Sequence, residues 1–317
     1  MAQGRQDKVW TAQNPTLRSA DAGRATRGRT PSWLAHPADY WTLTKPEVNV
    51  LVLVSTLVGF YLAAPGAVHG WLLFHTLMGT LLVASGTGTL NQYLERRTDG
   101  FMRRTANRPL PAGRLKPGQA LWFGVLLSVA GGAELWFAAN PLTGALALAT
   151  LATYLTCYTP LKRRTPLCTL VGAFPGAMPP LIGWAAVRNG LSAQAWVLYA
   201  ILFLWQFPHL LAIAWMYRED YARAGLRMLP RLDPDGQVTV RRIMACTLAL
   251  LPVSLIPALT GSAGKVYLVG AGMLGVGFLY YGARLATRRT NVLAKQLLLA
   301  SIVYLPLVFG LLMLDRR

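Results

Sequence analysis

Apolar residues recur along this chain in long runs, separated by short stretches dense in glycine, proline and charge. A helix needs about 20 predominantly apolar residues to cross a hydrocarbon core. The runs at 47–64, 71–90, 118–139, 142–160, 167–187, 193–216, 243–260, 266–283 and 294–313 meet that need. The pattern predicts an all-α membrane protein with nine transmembrane helices, because each spanning segment must close its own backbone hydrogen bonds in lipid. The division between 142–160 and 167–187 is the least sharp, since Pro160 and Pro166 lie there. Ahead of the first run the pattern stops. The first 46 residues are polar and arginine-rich and lack the apolar stretch of a secretory signal. Residues 1–42 read as a disordered basic tail, and 43–317 as one transmembrane domain.

Composition agrees: the 317 residues are 54% hydrophobic and only 14% charged, with a mean hydropathy of +0.38. The net charge is +19, from 31 Lys+Arg against 12 Asp+Glu. Such an excess fits nucleic acid, anionic lipid or an anionic substrate, and its distribution decides among them. All but Arg188, Lys265, Arg316 and Arg317 fall in the tail, in alternate loops or at the helix ends beside them, on one side of the predicted bundle. Cationic loops stay in the cytoplasm, so the N-terminus is expected there and the charge needs no nucleic acid. Cys157, Cys168 and Cys246 have no metal-site or redox spacing and read as small buried hydrophobes.

Candidate chemistry gathers on the cation-rich side. After the second run the chain reads Asn91-x3-Glu95-x3-Asp99, followed by Arg103, Arg104 and Arg108. Steps of four at ~100° per residue keep the three oxygen donors on one drifting helix face. Two adjacent carboxylates are tolerable around a cation, and this donor set suits Mg²⁺, which usually bridges carboxylates to substrate phosphates. An ordinary solvated helix end, neutralised by Arg96 and Arg103, is the alternative.

A second acidic pair, Glu219 and Asp220, follows the sixth run. If the helix continued, Asp220 would return to within about 20° of the face of His209. Between the clusters stands Lys162-Arg163-Arg164, bounded by prolines, where three cations suit a diphosphate or serve as a positive-inside signal. An ionisable group such as His209 inside an apolar run is a functional suspect, though a hydrogen-bonded core histidine looks the same in sequence.

These residues resemble the UbiA superfamily of intramembrane prenyltransferases, and within it the branch that farnesylates protoheme. The likeness runs from about Leu43 to the C-terminus. It rests on Leu43-Thr-Lys45-Pro46, Asn91 to Asp99, Arg104-Thr-x-Asn107-Arg108-Pro109, Tyr158-Thr-x-x-Lys162-Arg163-Arg164-Thr-Pro166, Trp205-Gln206-x-Pro208-His209 and Asp220-Tyr221-x-x-Ala-Gly225-x-x-Met228-Leu229-Pro230. Glu95 stands where the family usually has Asp, Glu47 where Arg is customary, and Arg227 where Pro is usual.

The resemblance implies a nine-helix bundle around a central cavity in the bacterial cytoplasmic membrane, with Mg²⁺ and farnesyl diphosphate bound and farnesyl transferred to a vinyl carbon of protoheme. It implies metal ligation by Asn91, Glu95, Asp99, Glu219 and Asp220. Diphosphate activation falls to Lys162, Arg163 and Arg164, and substrate contacts to Lys45, Arg103, Arg104, Asn107, Arg108, Tyr158, Trp205 and Tyr221. His209 is implied either as a contact to heme iron or in proton management, and a heme A synthase is the expected downstream partner.

Two other readings compete with this one. Another aromatic acceptor, such as a quinone precursor, would leave the diphosphate residues unchanged. A secondary transporter would use intramembrane ionisable groups such as His75 and Glu134, although such sites lie near the midplane. Gly270-x-Gly272-x-x-Gly275 resembles a dinucleotide fingerprint, but it sits inside an apolar run with no strand before it. With Gly172 and Gly176, it reads as helix packing.

Overall fold

The computed structural model describes residues 37–317. Of the expected tail, residues 1–36 lie outside the described residues, while Pro37–Thr44 forms a short helix, α1. Nine membrane-length helical segments follow among the described residues. They are α2 (Pro46–Ala63), α3 (Gly70–Asp99), α4 (Pro117–Glu134, continued by a π-helical turn over Leu135–Ala139) and α5 (Pro141–Thr153). A π-helical turn over Tyr154–Tyr158 and a last turn, Thr159–Leu161, extend α5. The fifth span is split into α6 (Cys168–Gly176) and α7 (Pro179–Arg188), and the sixth is α8 (Ala193–Met216). Short helices α9 (Arg218–Arg223) and α10 (Leu229–Leu232) precede the last three spans, α11 (Gln237–Leu259), α12 (Lys265–Thr287) and α13 (Asn291–Leu314).

Proline punctuates these starts. Pro46, Pro117, Pro141 and Pro179 open α2, α4, α5 and α7, where a missing N–H deprives no intrahelical bond and φ is preset. The fifth span breaks at Ala177–Met178, ahead of Pro179-Pro180. Gln206 of α8 donates to Ala173 O beside the break, a second donor to a carbonyl that also accepts from Ala177 N at 3.1 Å.

Hydrocarbon offers helices no hydrophobic drive to associate, so close packing of small residues does much of the work. The seam of α3 with α4 uses Gly79, Gly86, Gly124 and Gly131, and that of α2 with α7 uses Gly59 and Gly183. A Cβ on Gly183 would fall on Thr56 O, and one on Gly59 on Pro180 O. Backbone cannot yield as a side chain does. Gly183→Leu is expected to destabilise the protein by at least the ~1–3 kcal/mol typical of overpacking, read as a lower unfolding temperature in detergent. Gly172 packs on the Tyr158 ring and Gly176 on Gln206, and Gly270 and Gly275 meet Leu311 and Leu251, whereas Gly272 faces open space.

Three expectations are corrected. The second span runs on to Asp99 instead of stopping near 90, so the whole Asn-x3-Glu-x3-Asp array lies on one helix of 30 residues. The seventh span begins at Gln237 and carries Arg241 and Arg242 in its first turns. Of the cysteines expected to be buried, Cys168 is, Cys246 is half-buried and Cys157 is exposed, since an outward face of a membrane helix is as apolar as an inward one.

Candidate active site

The Asn91, Glu95 and Asp99 side chains are held among residues from four parts of the chain. Asn91 and Asp99 are only 2% and 1% exposed. Asn91 donates through Nδ2 to Glu95 Oε2 at 2.8 Å and accepts at Oδ1 from Thr159 at 3.0 Å. Lys162 Nζ reaches both Glu95 carboxylate oxygens, at 2.9 and 3.1 Å, and lies 4.5 Å from the centre of the Tyr158 ring. Arg108 pairs with Asp99 at 2.7 Å, and Arg163 donates to Thr98. The solvated helix end is thereby excluded, since both carboxylates are enclosed and matched by cations 67 and 9 residues away. Burial alone would pull the Lys162 ammonium down, but the adjacent Tyr158 and Glu95 outweigh it and hold it well above the usual lysine range.

Lys45 supplies a further cation by an unusual route. It is the single residue between α1 and α2, with φ 54° and ψ 62°, in the left-handed region. The following proline disfavours right-handed helical geometry at this position, and a β-carbon here costs about 1–2 kcal/mol. A lysine kept where glycine would be unstrained points to its side chain. Gln92 fixes the turn by donating to Thr42 O and Leu43 O, and Asn49 by donating to Thr44 O and to Ser85. Burial, then the charges of Arg108 and Lys162, lower the Lys45 amine to about 7.

An anion bound here favours the ammonium, so binding takes up a proton. Affinity for inorganic diphosphate should therefore fall as pH rises above 7, by no more than about tenfold per unit from this group. Calorimetric titrations of the wild type and Lys45→Met, compared in the same buffers, cancel the ligand's own titration. The difference between their slopes is the expected signal.

The second acidic pair is arranged otherwise than the sequence suggested. The α8 helix ends at Met216 and α9 starts anew at Arg218, so helical phase is not carried from His209 to Asp220. Asp220 is buried, pairs with Arg223 and accepts the Arg104 N–H at 3.4 Å; the Arg104 guanidinium lies over Tyr217. Tyr221 packs with Tyr158 in the cluster around Met102, Cys168 and Met228. Arg227 N donates to Lys162 O at 2.7 Å, tying this segment to the basic turn. Glu219, Arg103, Arg164 and Asn107 are exposed, and their side chains make no hydrogen bond among the described residues.

His209 and Trp205 form a separate group against α13. His209 Nδ1 lies 2.8 Å from Ser301 Oγ, and that hydroxyl donates its proton to Leu298 O at 2.6 Å. With the Ser301 proton engaged, Nδ1 must carry the hydrogen, which leaves Nε2 as the free lone pair. Trp205 stacks on the imidazole at 4.8 Å and donates to Ser301 O.

Sequence reasoning missed Asn49, Gln92, Thr159 and Ser301. Gln92, beside Asn91, and Thr159, beside Tyr158, had a local signal. His75 and Glu134 pair at 2.9 Å between α3 and α4, near the opposite ends of these helices from the acidic array. The carboxylates of the acidic array and their cations thus lie at one end of the bundle, unlike a midplane transport site.

The UbiA prenyltransferase family matches residues 52–308. The chain is similar to the protoheme IX farnesyltransferase of Solibacter usitatus, at 55% identity over 88% of this chain and 98% of the relative. Among solved structures it resembles a digeranylgeranylglyceryl phosphate synthase, with a TM-score of 0.73 and 15% identity, covering 88% of this chain and 97% of that one. It also resembles a UbiA homolog from Archaeoglobus fulgidus bound to DMAPP and Mg²⁺, with a TM-score of 0.63 and 15% identity, covering 86% and 99%. At that identity the structures speak for the fold, a helical bundle around a cavity.

Proposed function

Since the chain belongs to the UbiA prenyltransferase family, we propose that it transfers the farnesyl group of farnesyl diphosphate to a vinyl group of protoheme IX, with addition of water, releasing diphosphate and giving heme O. One observation carries the diphosphate half of this reading: Lys162, Arg108 and Lys45 converge on the Asn91–Glu95–Asp99 face inside an enclosed end of the bundle. The acceptor rests on the protoheme IX farnesyltransferase relatives and on His209, whose Nδ1–H is fixed by Ser301 while Nε2 stays free. A histidine that binds a metal characteristically donates its other N–H in this way, so His209 is assigned to the heme iron.

The donor set fits Mg²⁺. Asn91, Glu95, Asp99 and Asp220 offer hard oxygens, and among the described residues no three acidic or imidazole groups cage an ion by themselves. Magnesium commonly completes such sites with substrate phosphates. When bound, it would neutralise part of the diphosphate charge, as the ion in the A. fulgidus structure suggests. Glu219, exposed beside Asp220, would join as a ligand after a side-chain rotation.

The protein's own residues then have distinct tasks. Lys162 and Arg108 place positive charge where the leaving oxygen gains negative charge as the allylic C–O bond breaks. Arg163, which donates to Thr98, and the exposed Arg164 would add positive charge beside them. Tyr154, 4.9 Å from Tyr158, offers a π-rich ring to the farnesyl carbocation, while the Tyr158 ring is engaged by Lys162 and packed on Gly172. The terminal vinyl carbon bonds to the farnesyl carbon, water adds at the neighbouring carbon, and its proton leaves to solvent. A heme A synthase would consume the product.

Purified protein with farnesyl diphosphate, protoheme and Mg²⁺ should yield a heme heavier by one farnesyl group and one hydroxyl, and none with chelator in excess. Unchanged heme, with prenyl transfer to a quinone precursor instead, would overturn the acceptor. The cation-rich face is assigned to the cytoplasm, with the N-terminus there. A cysteine replacing Arg164 in intact cells should therefore resist an impermeant thiol reagent and react once the membrane is opened.

A further inference from the structure

On the face opposite the acidic array, the helix ends enclose a half-open cavity of ≈ 200 Å³. Three of the four cations on that face, Arg188, Arg316 and Arg317, line it, and no Asp or Glu side chain does. Such convergence of like charge is unfavourable without a counterion, so the first question is what already holds these side chains. Arg188 donates through Nε to Ala63 O at 2.7 Å. Arg316 donates to Tyr61 O at 2.6 Å and to Ala64 O. Both guanidinium groups therefore sit at the negative end of the α2 dipole. A guanidinium has five N–H donors, so each keeps donors to spare, and the Arg317 side chain makes no hydrogen bond among the described residues. Asp315, the nearest acid in sequence, is occupied in capping α12 through Tyr267 N at 2.7 Å.

Trp184 also lines the cavity and is only 6% exposed, with its Nε1–H buried in the wall, away from the cavity space. An oxyanion in the cavity would take the donors that the arginines leave free. The rest of the wall is mixed, with Gln194, Thr260 and Ser262 beside the apolar Leu62, Val197, Leu198 and Leu312, at the ends of the helices. The volume is below the roughly 300–1,000 Å³ of pockets for drug-sized ligands, too small for a porphyrin or a whole isoprenoid.

We propose that this cavity binds the phosphate headgroup of an anionic membrane lipid, with Arg188, Arg316 and Arg317 as its cationic partners, Gln194, Thr260 and Ser262 as polar neighbours, and the acyl chains lying along Leu62, Val197, Leu198 and Leu312. The shared chemistry is a phosphate oxyanion, and a free phosphate is its other source. The site is distinct from the acidic array and does not depend on which acceptor is prenylated.

The test uses the full-length protein, delipidated in detergent and titrated with phosphatidylglycerol, phosphatidylcholine and inorganic phosphate, with retention read by native mass spectrometry. Phosphatidylglycerol should bind at least about tenfold more tightly than phosphatidylcholine, and Arg317→Gln should remove most of that preference. Arg188→Gln should do the same, but it also uncaps α2. Arg317→Gln carries the decision because its side chain supports nothing else. Binding by inorganic phosphate that equals the lipid's, and is lost in Arg317→Gln, would overturn the lipid as occupant in favour of the free ion. Equal retention of the two lipids, or an unchanged preference in Arg317→Gln, would overturn the site.

Discussion

Lys162→Met should lower kcat/KM for farnesyl diphosphate by about 10²–10³, the range seen when one preorganised donor to a developing oxyanion is removed. The loss has two origins. The leaving diphosphate forfeits a buried cation, and Glu95, whose two oxygens Lys162 engages at 2.9 and 3.1 Å, becomes an uncompensated carboxylate pointing at the same anion. Breaking an enclosed ion pair from one side also threatens the fold, by about 3–5 kcal/mol in fully buried cases. The pair's side chains are 13% and 12% exposed, so the penalty should fall below that. The double variant Lys162→Met/Glu95→Gln separates the effects. It should recover the unfolding temperature while staying inactive. Full activity in either variant would remove Lys162 from the diphosphate site.

His209→Ala should abolish heme O formation, by at least about 10²-fold, while diphosphate affinity stays within about twofold of wild type. The two groups are built from different helices: His209 and Trp205 on α8 lean on Ser301 of α13, whereas the diphosphate cations surround α3. Ser301→Ala should be milder. The imidazole remains, but the acceptor that keeps hydrogen on Nδ1 is gone, so both tautomers become populated and the Nε2 lone pair is offered only part of the time. Heme absorbance on titration into each variant, with the initial rate of product formation, measures both effects. Heme O made at the wild-type rate by His209→Ala would make it a core histidine.

Some of this protein is one-dimensional information. Nine spans, the gathering of cations into alternate loops and the Asn91–Glu95–Asp99 spacing are legible in sequence, because insertion in lipid and helical periodicity are set by local runs of residues. The resemblance, carried by those same motifs, supplied the activity. Partner choice was not legible. That Glu95 meets Lys162 and Asp99 meets Arg108 follows from how α3, α5 and the 100–116 loop pack, which no spacing encodes. The inferred common face of His209 and Asp220 failed because it assumed one continuous helix, and the chain ends α8 at Met216. Cys157 was misplaced for a related reason: in a membrane the lipid-facing and inward-facing surfaces are both apolar, so hydropathy cannot say which way a side chain points. The gathering of Arg188, Arg316 and Arg317 around Trp184 joins segments more than 120 residues apart. In sequence these arginines are only the exceptions to a charge rule. Only the packing of α2, α7, α8, α11 and α13 makes them neighbours, because helix order in the chain does not determine which helix ends meet in the bundle.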